Sequence, residues 1–325
     1  MTIPDLSAEH ADSRANGTVS HSRAAHERNP GMPLDQGWVK AARVNKSAAE
    51  RRAATIGTRR SVKKDTQAAW LLRAITCIDL TTLSGDDTPG NVHRLCAKAR
   101  QPVRQEVLDA LGVGDMGITT GAVCVYHNRV ADAVRALEGT NIPVAAVSTG
   151  FPAGLSPLRT RIEEIKESVA AGAKEIDIVI PREHAIAQNW QALYDEVRQF
   201  REACGDAHMK SILATGELPH LRSVMMASLV CMMAGSDFIK TSTGKEPVNA
   251  TLEVSLVMIR ALRDYLDRFG YKVGFKPAGG ISSAKQALAW QSLMKEELGD
   301  EWLKNDLFRF GASSLLTDIE RQLYH

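Results

Sequence analysis

The sequence has few cysteines, and they are too widely spread to form a structural framework. The five lie at positions 77, 96, 124, 204 and 231, and no two are separated by only two residues. Their odd number and wide spacing exclude a disulfide-rich scaffold and a zinc knuckle. The nine histidines form no close pair in any predicted strand, so no ligand set for a catalytic metal is visible. We therefore expect a protein that needs no metal and no other cofactor.

Long apolar runs are also missing. The run at residues 223–236 is about 14 residues long and is flanked by Arg222 and Asp237, which makes it too short to cross a bilayer. The N-terminus has no apolar segment of the secretory kind, and Asp5, Glu9 and Asp12 are unlike a transit peptide, which is poor in acids. We expect a cytoplasmic protein without a membrane partner.

The N-terminal part of the chain is basic and poor in apolar residues. Residues 1–64 hold 12 Lys and Arg against 6 Asp and Glu, whereas the whole chain has a net charge of +2. Residues 1–34 have no apolar period and are expected to be a disordered tail. Residues 35–66 are expected to form a basic, partly helical extension of the domain at 67–325. Without interleaved aromatic residues, this basic run is expected to be a solvated face rather than a nucleic-acid site.

From residue 67 onward, short β-rich runs alternate with longer amphipathic runs. This alternation is typical of parallel α/β folds, and eight strands with helices between them favour a closed (β/α)8 barrel, or TIM barrel, over an open sheet. The predicted strands are Ile75–Thr81, Ala122–Tyr126, Val144–Gly150, Glu175–Ile180, Met209–Thr215, Phe238–Ser242, Val273–Pro277 and Phe308–Gly311.

The alternation of side chains along a strand predicts which residues face the barrel interior. In the strand at 175–180 the isoleucines share one face, which should pack on the outer helices, so Asp177 points inward. The same alternation places Lys240 inward in the run at 238–242 and Lys276 inward in the run at 274–278. Two lysines on neighbouring strands are therefore expected to face each other inside the barrel.

Such a pair of lysines has the properties of a carbonyl-attacking site. Burial removes the hydration of an ammonium group and a second ammonium repels it, so both effects lower the pKa of the amine. A neutral lysine can form an iminium, which accepts electrons during carbon–carbon cleavage. The same residues also permit two structural readings: lysines at the barrel rim that extend to water, or a buried ion pair with Asp177.

Glycine- and serine-rich segments follow the last three predicted strands, at residues 242–245, 278–280 and 311–314. Backbone N–H groups exposed by glycine at helix N-termini bind phosphate, and barrels commonly hold phosphate after strands 7 and 8. The segments therefore predict a small phosphorylated substrate.

The motifs around these residues resemble those of the deoxyribose-phosphate aldolases over about residues 67–323, and the basic extension resembles that of longer eukaryotic members. The shared motifs, in family order, are IDLTTL at 78–83, CVY at 124–126, EID at 175–177, TGEL at 215–218, DFIKTSTG at 237–244 and GFKPAGG at 274–280. The resemblance implies that Lys240 forms the Schiff base, Lys276 depresses its pKa, and Asp177 belongs to a proton relay with water. It also implies a substrate pocket formed by Asp79, Cys124, Thr241, Gly244, Lys245, Gly279, Gly280, Ser313 and Ser314.

The implied reaction is the reversible cleavage of 2-deoxy-D-ribose 5-phosphate to D-glyceraldehyde 3-phosphate and acetaldehyde, in deoxyribose phosphate catabolism. Two departures from the family pattern stand out: Ser282 replaces an arginine common after the glycine pair, and the chain ends Tyr324-His325, whereas some members end in tyrosine. Two alternatives remain: a lysine-dependent aldolase for another phosphorylated sugar, and a barrel that serves mainly as a partner of RNA or protein. A homo-oligomer is compatible with the sequence.

Overall fold

Eight parallel strands, each followed by at least one helix, form the body of the chain in a computed structural model that describes residues 28–59 and 62–324. The strands are β1 Ile78–Thr81, β2 Ala122–Tyr126, β3 Val144–Ser148, β4 Glu175–Val179, β5 His208–Ile212, β6 Phe238–Lys240, β7 Gly274–Lys276 and β8 Phe310–Ala312. The helices are α1 Gln36–Ala41, α2 Lys46–Arg59, α3 Lys64–Thr76, α4 Pro89–Arg100, α5 Gln105–Ala110, α6 Val130–Ala136, α7 Leu158–Ala170, α8 Arg182–Ile186, α9 Trp190–Cys204, α10 Leu221–Met233, α11 Leu252–Phe269, α12 Ala284–Leu298 and α13 Leu315–Tyr324.

The sheet curves into a nearly closed barrel. Its strands follow the order β7-β6-β5-β4-β3-β2-β1-β8, and every ladder is parallel. Isolated parallel bridges from Phe275 to Phe308 and from Ala278 to Gly311 connect the two end strands. The predicted α/β class and barrel architecture are confirmed, and the carboxyl ends of the strands define the face where barrel enzymes carry their sites.

All eight strands were predicted, but most of their limits were too wide. Ile75 belongs to the end of α3 rather than to β1, and the last strand begins at Phe310 rather than Phe308. An apolar residue at the end of a buried helix and one at the start of a buried strand look alike in sequence, because both are fully enclosed.

The predicted alternation of faces holds in β4. Ile176 and Ile178 pack in the layer between the sheet and the outer helices, whereas Val179 belongs to a separate apolar cluster inside the barrel. Asp177 is fully buried between them on the inward face.

Residues 28–34 pack against the barrel, although the sequence predicted a disordered tail there. The Asn29 N–H donates to Asp237 Oδ1 at 3.0 Å, and the Asn29 side chain donates to the carbonyl oxygens of Met232 and Ser236. The hydroxyl of Tyr265 donates to Asn29 Oδ1. These contacts lie at the amino end of β6, opposite the face formed by the carboxyl ends of the strands. Residues 1–27 of the predicted tail lie outside the described residues.

The basic extension contains α1, α2 and the first turn of α3, so α3 crosses the predicted boundary at residue 66. Helix α2 packs against α11 and α12. Arg52, one of the basic residues considered for nucleic-acid contact, donates to Glu296 at 2.8 Å and to Glu297 at 3.1 Å. Its charge therefore ties the extension to the barrel.

Candidate active site

Lys240 ends β6 inside the barrel and is only 3% exposed. Its side-chain nitrogen lies 2.8 Å from Oδ2 of Asp177 on β4. The strand places it there because Lys240 pairs in register with Ile212 on one side and with Lys276 on the other.

Lys276 contacts the same carboxylate oxygen. Its Nζ lies 2.7 Å from Asp177 Oδ2 and 2.5 Å from Asp79 Oδ2 on β1. The two lysines do not simply face each other, as the alternation suggested, because a carboxylate oxygen lies between them. The structure therefore contains both the predicted pair of inward lysines and the alternative that the sequence allowed, a buried contact of the lysines with Asp177.

Three further buried charges lie beneath these residues, and the sequence analysis missed all of them. Lys210 Nζ lies 2.5 Å from Glu175 Oε2 and 3.0 Å from Asp177 Oδ1. Arg309 donates to both oxygens of Glu175 and, at 2.5 Å, to Asp79 Oδ1. The available signal was the same alternation: Glu175 shares a face with Asp177, and Lys210 lies directly beside Asp177 in the β4–β5 register.

Lys240 and Lys276 have opposite pKa shifts. Burial lowers the pKa of the Lys240 amine below its ordinary value, and the Lys276 ammonium acts in the same direction against the pull of Asp177. Burial also disfavours the charge of Lys276, but Asp177 and Asp79 together outweigh it and raise the pKa of Lys276. Lys240 is thus suited to be a neutral nucleophile beside a fixed ammonium.

The carboxylates of this buried network remain ionised. Burial would raise the pKa of Asp177, but Lys210, Lys240 and Lys276 hold it well below its usual range. An ionised Asp177 stabilises any positive charge that forms on Lys240, including that of an iminium.

The same shifts predict a loss of stability in acid. Burial opposes ionisation of Glu175, yet Arg309 and Lys210 lower its pKa to about 2 from the ordinary value of 4.5. Because the folded-state pKa is the lower one, the stabilisation is complete above the unfolded value and is lost as the pH falls from about 4.5 towards 2. We expect the thermal midpoint to fall steeply over this window. In Glu175→Gln the thermal midpoint should already be lower than that of the wild type at pH 6, and it should fall less steeply as the pH decreases. Glu163→Gln, which changes an exposed carboxylate, should follow the wild type.

An apolar wall lines another part of the barrel interior. Cys124, Ala145, Val147, Phe151, Val179 and Ile212 form this cluster. Burial raises the pKa of the Cys124 thiol, so the side chain remains protonated and contributes a small apolar surface. Ile212 of this wall pairs in register with Lys240, so the wall borders the buried charges.

A cavity of about 270 Å³ opens above Lys240 at the carboxyl ends of β6, β7, β8 and β1. Of the residues predicted to hold phosphate, the cavity is lined by Gly244, Lys245, Gly279, Gly280, Ser313 and Ser314. Ser282 lines it as well. Asp79, Cys124 and Thr241 are among the buried residues outside this lining. The hydroxyl of Thr241 accepts from the Ala278 N–H and donates to the Ala278 carbonyl, so it joins the ends of β6 and β7.

The glycine pair after β7 has the left-handed backbone that the turn requires. Gly279 and Gly280 have φ values of +85° and +79°. A Cβ at Gly279 would also lie 2.6 Å from the side chain of Asn249, so only glycine fits there.

Part of the predicted backbone anion site is already occupied by carboxylate and amide oxygens of the protein. Glu246 accepts from the N–H groups of Thr243 and Gly244 and from the Thr243 hydroxyl. Gln286 Oε1 accepts from the N–H of Ser282 at 2.9 Å. The Gly244 amide is therefore taken, and the loop after β6 presents the exposed Lys245 instead.

Tyr324 lies far along α13 from the cavity. The helix starts beside Ser314 at the cavity and Tyr324 is its last residue, about 15 Å away at 1.5 Å per residue. The guanidinium of Arg104 lies 4.8 Å from the centre of the Tyr324 ring. In this structure Tyr324 therefore does not reach Lys240.

Within residues 28–59 and 62–324, no group of three or more His, Cys, Asp or Glu could hold a metal ion. In the same part of the chain, no helix is long and apolar enough to span a membrane.

Comparisons with known proteins point in one direction. A family model described as DeoC/LacD family aldolase matches residues 73–319. The chain is 64% identical to the deoxyribose-phosphate aldolase of Mus musculus and 62% identical to that of Homo sapiens, in each case over 93% of this chain and 95% of the relative. A solved structure of the tetrameric deoxyribose phosphate aldolase from Aeropyrum pernix is similar in fold, with a TM-score of 0.56 at 22% identity over 84% of this chain and 97% of that one.

Proposed function

The chain belongs to the DeoC/LacD family of aldolases, and we propose that it cleaves 2-deoxy-D-ribose 5-phosphate through a Schiff base on Lys240. The products are D-glyceraldehyde 3-phosphate and acetaldehyde, and the reaction is reversible. This is the deoxyribose-phosphate aldolase activity for which its mammalian relatives are named. An enzyme with this activity is a carbon–carbon lyase. The observation that carries the proposal is the position of Lys240, a buried amine of lowered pKa at the base of the cavity, beside the ammonium of Lys276.

The reaction begins with attack of the neutral Lys240 amine on the C1 aldehyde carbon. The carbinolamine loses water to give an iminium, whose positive charge faces the Asp177 carboxylate at the position where Lys240 Nζ now lies. Removal of the proton from the C3 hydroxyl through Asp177 and water breaks the C2–C3 bond, and the electrons pass to the iminium nitrogen. The resulting two-carbon enamine is protonated and hydrolysed to acetaldehyde, which frees Lys240.

The phosphate is proposed to lie at the outer end of the cavity. Lys245 supplies an ammonium there, and the left-handed turn at Gly279 and Gly280 exposes backbone N–H groups. Ser313 and Ser314 lie at the start of α13, whose N-terminus favours an anion. Asp79 and Thr241 support the site from beneath: Asp79 holds Lys276, and Thr241 holds the strand ends.

A coupled assay with several sugar phosphates tests this substrate assignment. Release of D-glyceraldehyde 3-phosphate, the product common to both sugars, should be faster from 2-deoxy-D-ribose 5-phosphate than from ribose 5-phosphate by a large factor, since the apolar wall around Cys124 suits an unsubstituted C2. Preference for another sugar phosphate would leave the lysine chemistry intact but change the substrate. No cleavage of any sugar phosphate would favour the reading of the barrel as a binding partner.

Ser282 offers a test of the phosphate position. It lines the cavity and is exposed, so an arginine there has room to reach a phosphate oxygen. Charge-assisted hydrogen bonds contribute about 1.5–3 kcal/mol and neutral ones about 1, so Ser282→Arg should lower KM for the phosphate ester by about 3- to 30-fold.

Unphosphorylated deoxyribose is the control substrate, and its KM should not change. Ser282→Gln, a long side chain without charge, should give a much smaller gain. An equal change for both substrates would place residue 282 away from the phosphate.

Chelation tests the absence of a metal requirement. Because a neutral lysine amine needs no Lewis acid, prolonged treatment with a strong chelator should leave kcat unchanged. A large loss that zinc restores would contradict the lysine mechanism.

We further propose a cytoplasmic enzyme in which residues 67–325 form the catalytic barrel and residues 35–66 a structural extension. A homo-oligomer is proposed from the assembly of its Aeropyrum pernix relative, and light scattering measures it directly.

A further inference from the structure

Arg309 is a buried charge for which the proposed reaction has no direct use. It precedes β8, is 2% exposed, and lies outside the cavity lining. Its Nη2 lies 2.8 Å from Glu175 Oε1 and its Nη1 lies 2.5 Å from Asp79 Oδ1. Burying a guanidinium is costly unless carboxylates pair with it, and Asp79 and Glu175 do so here.

A continuous series of ionic contacts connects Arg309 to Lys240. Asp79 contacts Arg309 through Oδ1 and Lys276 through Oδ2, both at 2.5 Å. Lys276 then contacts Asp177 Oδ2, which also contacts Lys240. A change of charge at Arg309 therefore acts on Lys240 through a low-dielectric interior rather than through water.

The charges of this network balance only if one base is neutral. It contains three carboxylates and four bases: Asp79, Glu175, Asp177, Lys210, Lys240, Lys276 and Arg309. Arginine does not lose its proton in proteins. Lys210 lies within 3.5 Å of three carboxylates and Lys276 within 2.7 Å of two, whereas Lys240 contacts one carboxylate of the described residues, Asp177. Lys240 is thus the base that loses its proton most easily.

We propose that Arg309 is a positioning residue for the Schiff-base lysine: its fixed positive charge neutralises Glu175 and Asp79, which leaves Lys240 as the one neutral base of the network. This inference rests on the proposed function, because it concerns the lysine that forms the Schiff base. It assigns Arg309 and Glu175 a role in the protonation of Lys240 although neither touches the cavity.

The remaining titratable groups around the network do not alter the balance. The thiols of Cys77, just before β1, and of Cys124, on β2, have pKa values raised by burial and stay neutral. His208 at the start of β5 has a pKa lowered by burial, which favours its neutral form. The carboxylates and lysines on β1, β4, β5, β6 and β7 are those already counted.

Opposite charge changes should therefore shift the pH dependence in opposite directions. Arg309→Met removes a positive charge, so Lys240 retains its proton to higher pH. The rising limb of the pH profile of kcat/KM should therefore shift to higher pH by about one unit. Glu175→Gln removes a negative charge and moves the same limb down. The double variant restores the balance and should lie within about 0.3 pH unit of the wild type. Arg309→Lys, which keeps the charge, should also retain the wild-type limb.

Two readouts separate this inference from a merely structural role. The pH profile of kcat/KM is measured with 2-deoxy-D-ribose 5-phosphate, and the rate of reductive trapping by acetaldehyde and cyanoborohydride is followed over the same pH range. Shifts in the same direction for both single variants, or no shift in either folded variant, would overturn the proposal. If Arg309→Met does not fold, Glu175→Gln and the double variant test the proposal instead. The rising limb of the pH profile should then move to lower pH in Glu175→Gln and return to its wild-type position in the double variant. If either change fails to occur, the proposal is contradicted. Failure of wild-type protein to trap acetaldehyde on Lys240 would instead contradict the proposed function.

Discussion

Replacing Lys240 by arginine should reduce kcat/KM for 2-deoxy-D-ribose 5-phosphate by about 10⁴-fold or more, at every accessible pH. Arginine can still donate a hydrogen bond to Asp177, but its guanidinium does not deprotonate and cannot form the iminium. The loss therefore comes from the chemical step rather than from the fold, because the buried contact with Asp177 can be retained. The measurement is kcat/KM from pH 6 to 10 together with the thermal midpoint.

Lys285→Arg provides the matched control. Lys285 lies on α12, is exposed, and is outside both the cavity lining and the buried network. Its replacement should leave kcat/KM unchanged. Activity of Lys240→Arg within tenfold of the wild type would mean that another lysine forms the covalent intermediate.

Replacing Lys276 by methionine should move the rising limb of the pH profile upward by about two pH units. It should lower kcat/KM at pH 7 by about 10²-fold, because raising the pKa of Lys240 by one leaves tenfold less neutral amine at that pH. Lys276 Nζ lies 2.7 Å from Asp177 Oδ2, slightly closer than Lys240 Nζ at 2.8 Å. Without it, Asp177 and Asp79 lose a shared counter-ion and Lys240 becomes the cation that Asp177 retains. The pKa of Lys240 should rise as a result.

High pH distinguishes the two variants. Lys276→Met should recover much of its activity at pH 9 to 10, because deprotonation of Lys240 is then restored, whereas Lys240→Arg should recover none. Lys276→Met should also be less stable, because it leaves two buried carboxylates with fewer cations. An unchanged pH profile in a folded Lys276→Met protein would show that Lys276 does not set the protonation of Lys240.

The alternation of side chains was sufficient to predict the central residues of the site. Strands β4, β6 and β7 are covered by helices on the outside, so their polar side chains had to point inward, and Asp177, Lys240 and Lys276 do so. The relation of Asp177 to the lysines was not predictable, because it depends on the stagger between β4 and β7 across the barrel. Alternation on one strand carries no information about the distance from Asp177 to the lysines on β6 and β7.

Other features were missed because they depend on partners far away in sequence. Asn29 is held by Asp237, more than two hundred residues later, and nothing near residue 29 indicates this. The pairing of the Gly244 amide with Glu246 was missed for a different reason: glycine-rich loops signal exposed N–H groups, but the sequence does not show which acceptor fills them. Lys210, Glu175 and Arg309 were within reach of the same alternation that identified Lys240.

Reductive trapping of the covalent intermediate tests the central claim most directly. The protein is incubated with acetaldehyde and borohydride, digested, and sequenced by mass spectrometry, with Lys240→Arg treated in parallel. We expect one ethyl group on Lys240, and no labelled peptide from the network in the variant. An ethyl group on Lys276 or Lys210 in the wild type, with Lys240 unmodified, would contradict the account.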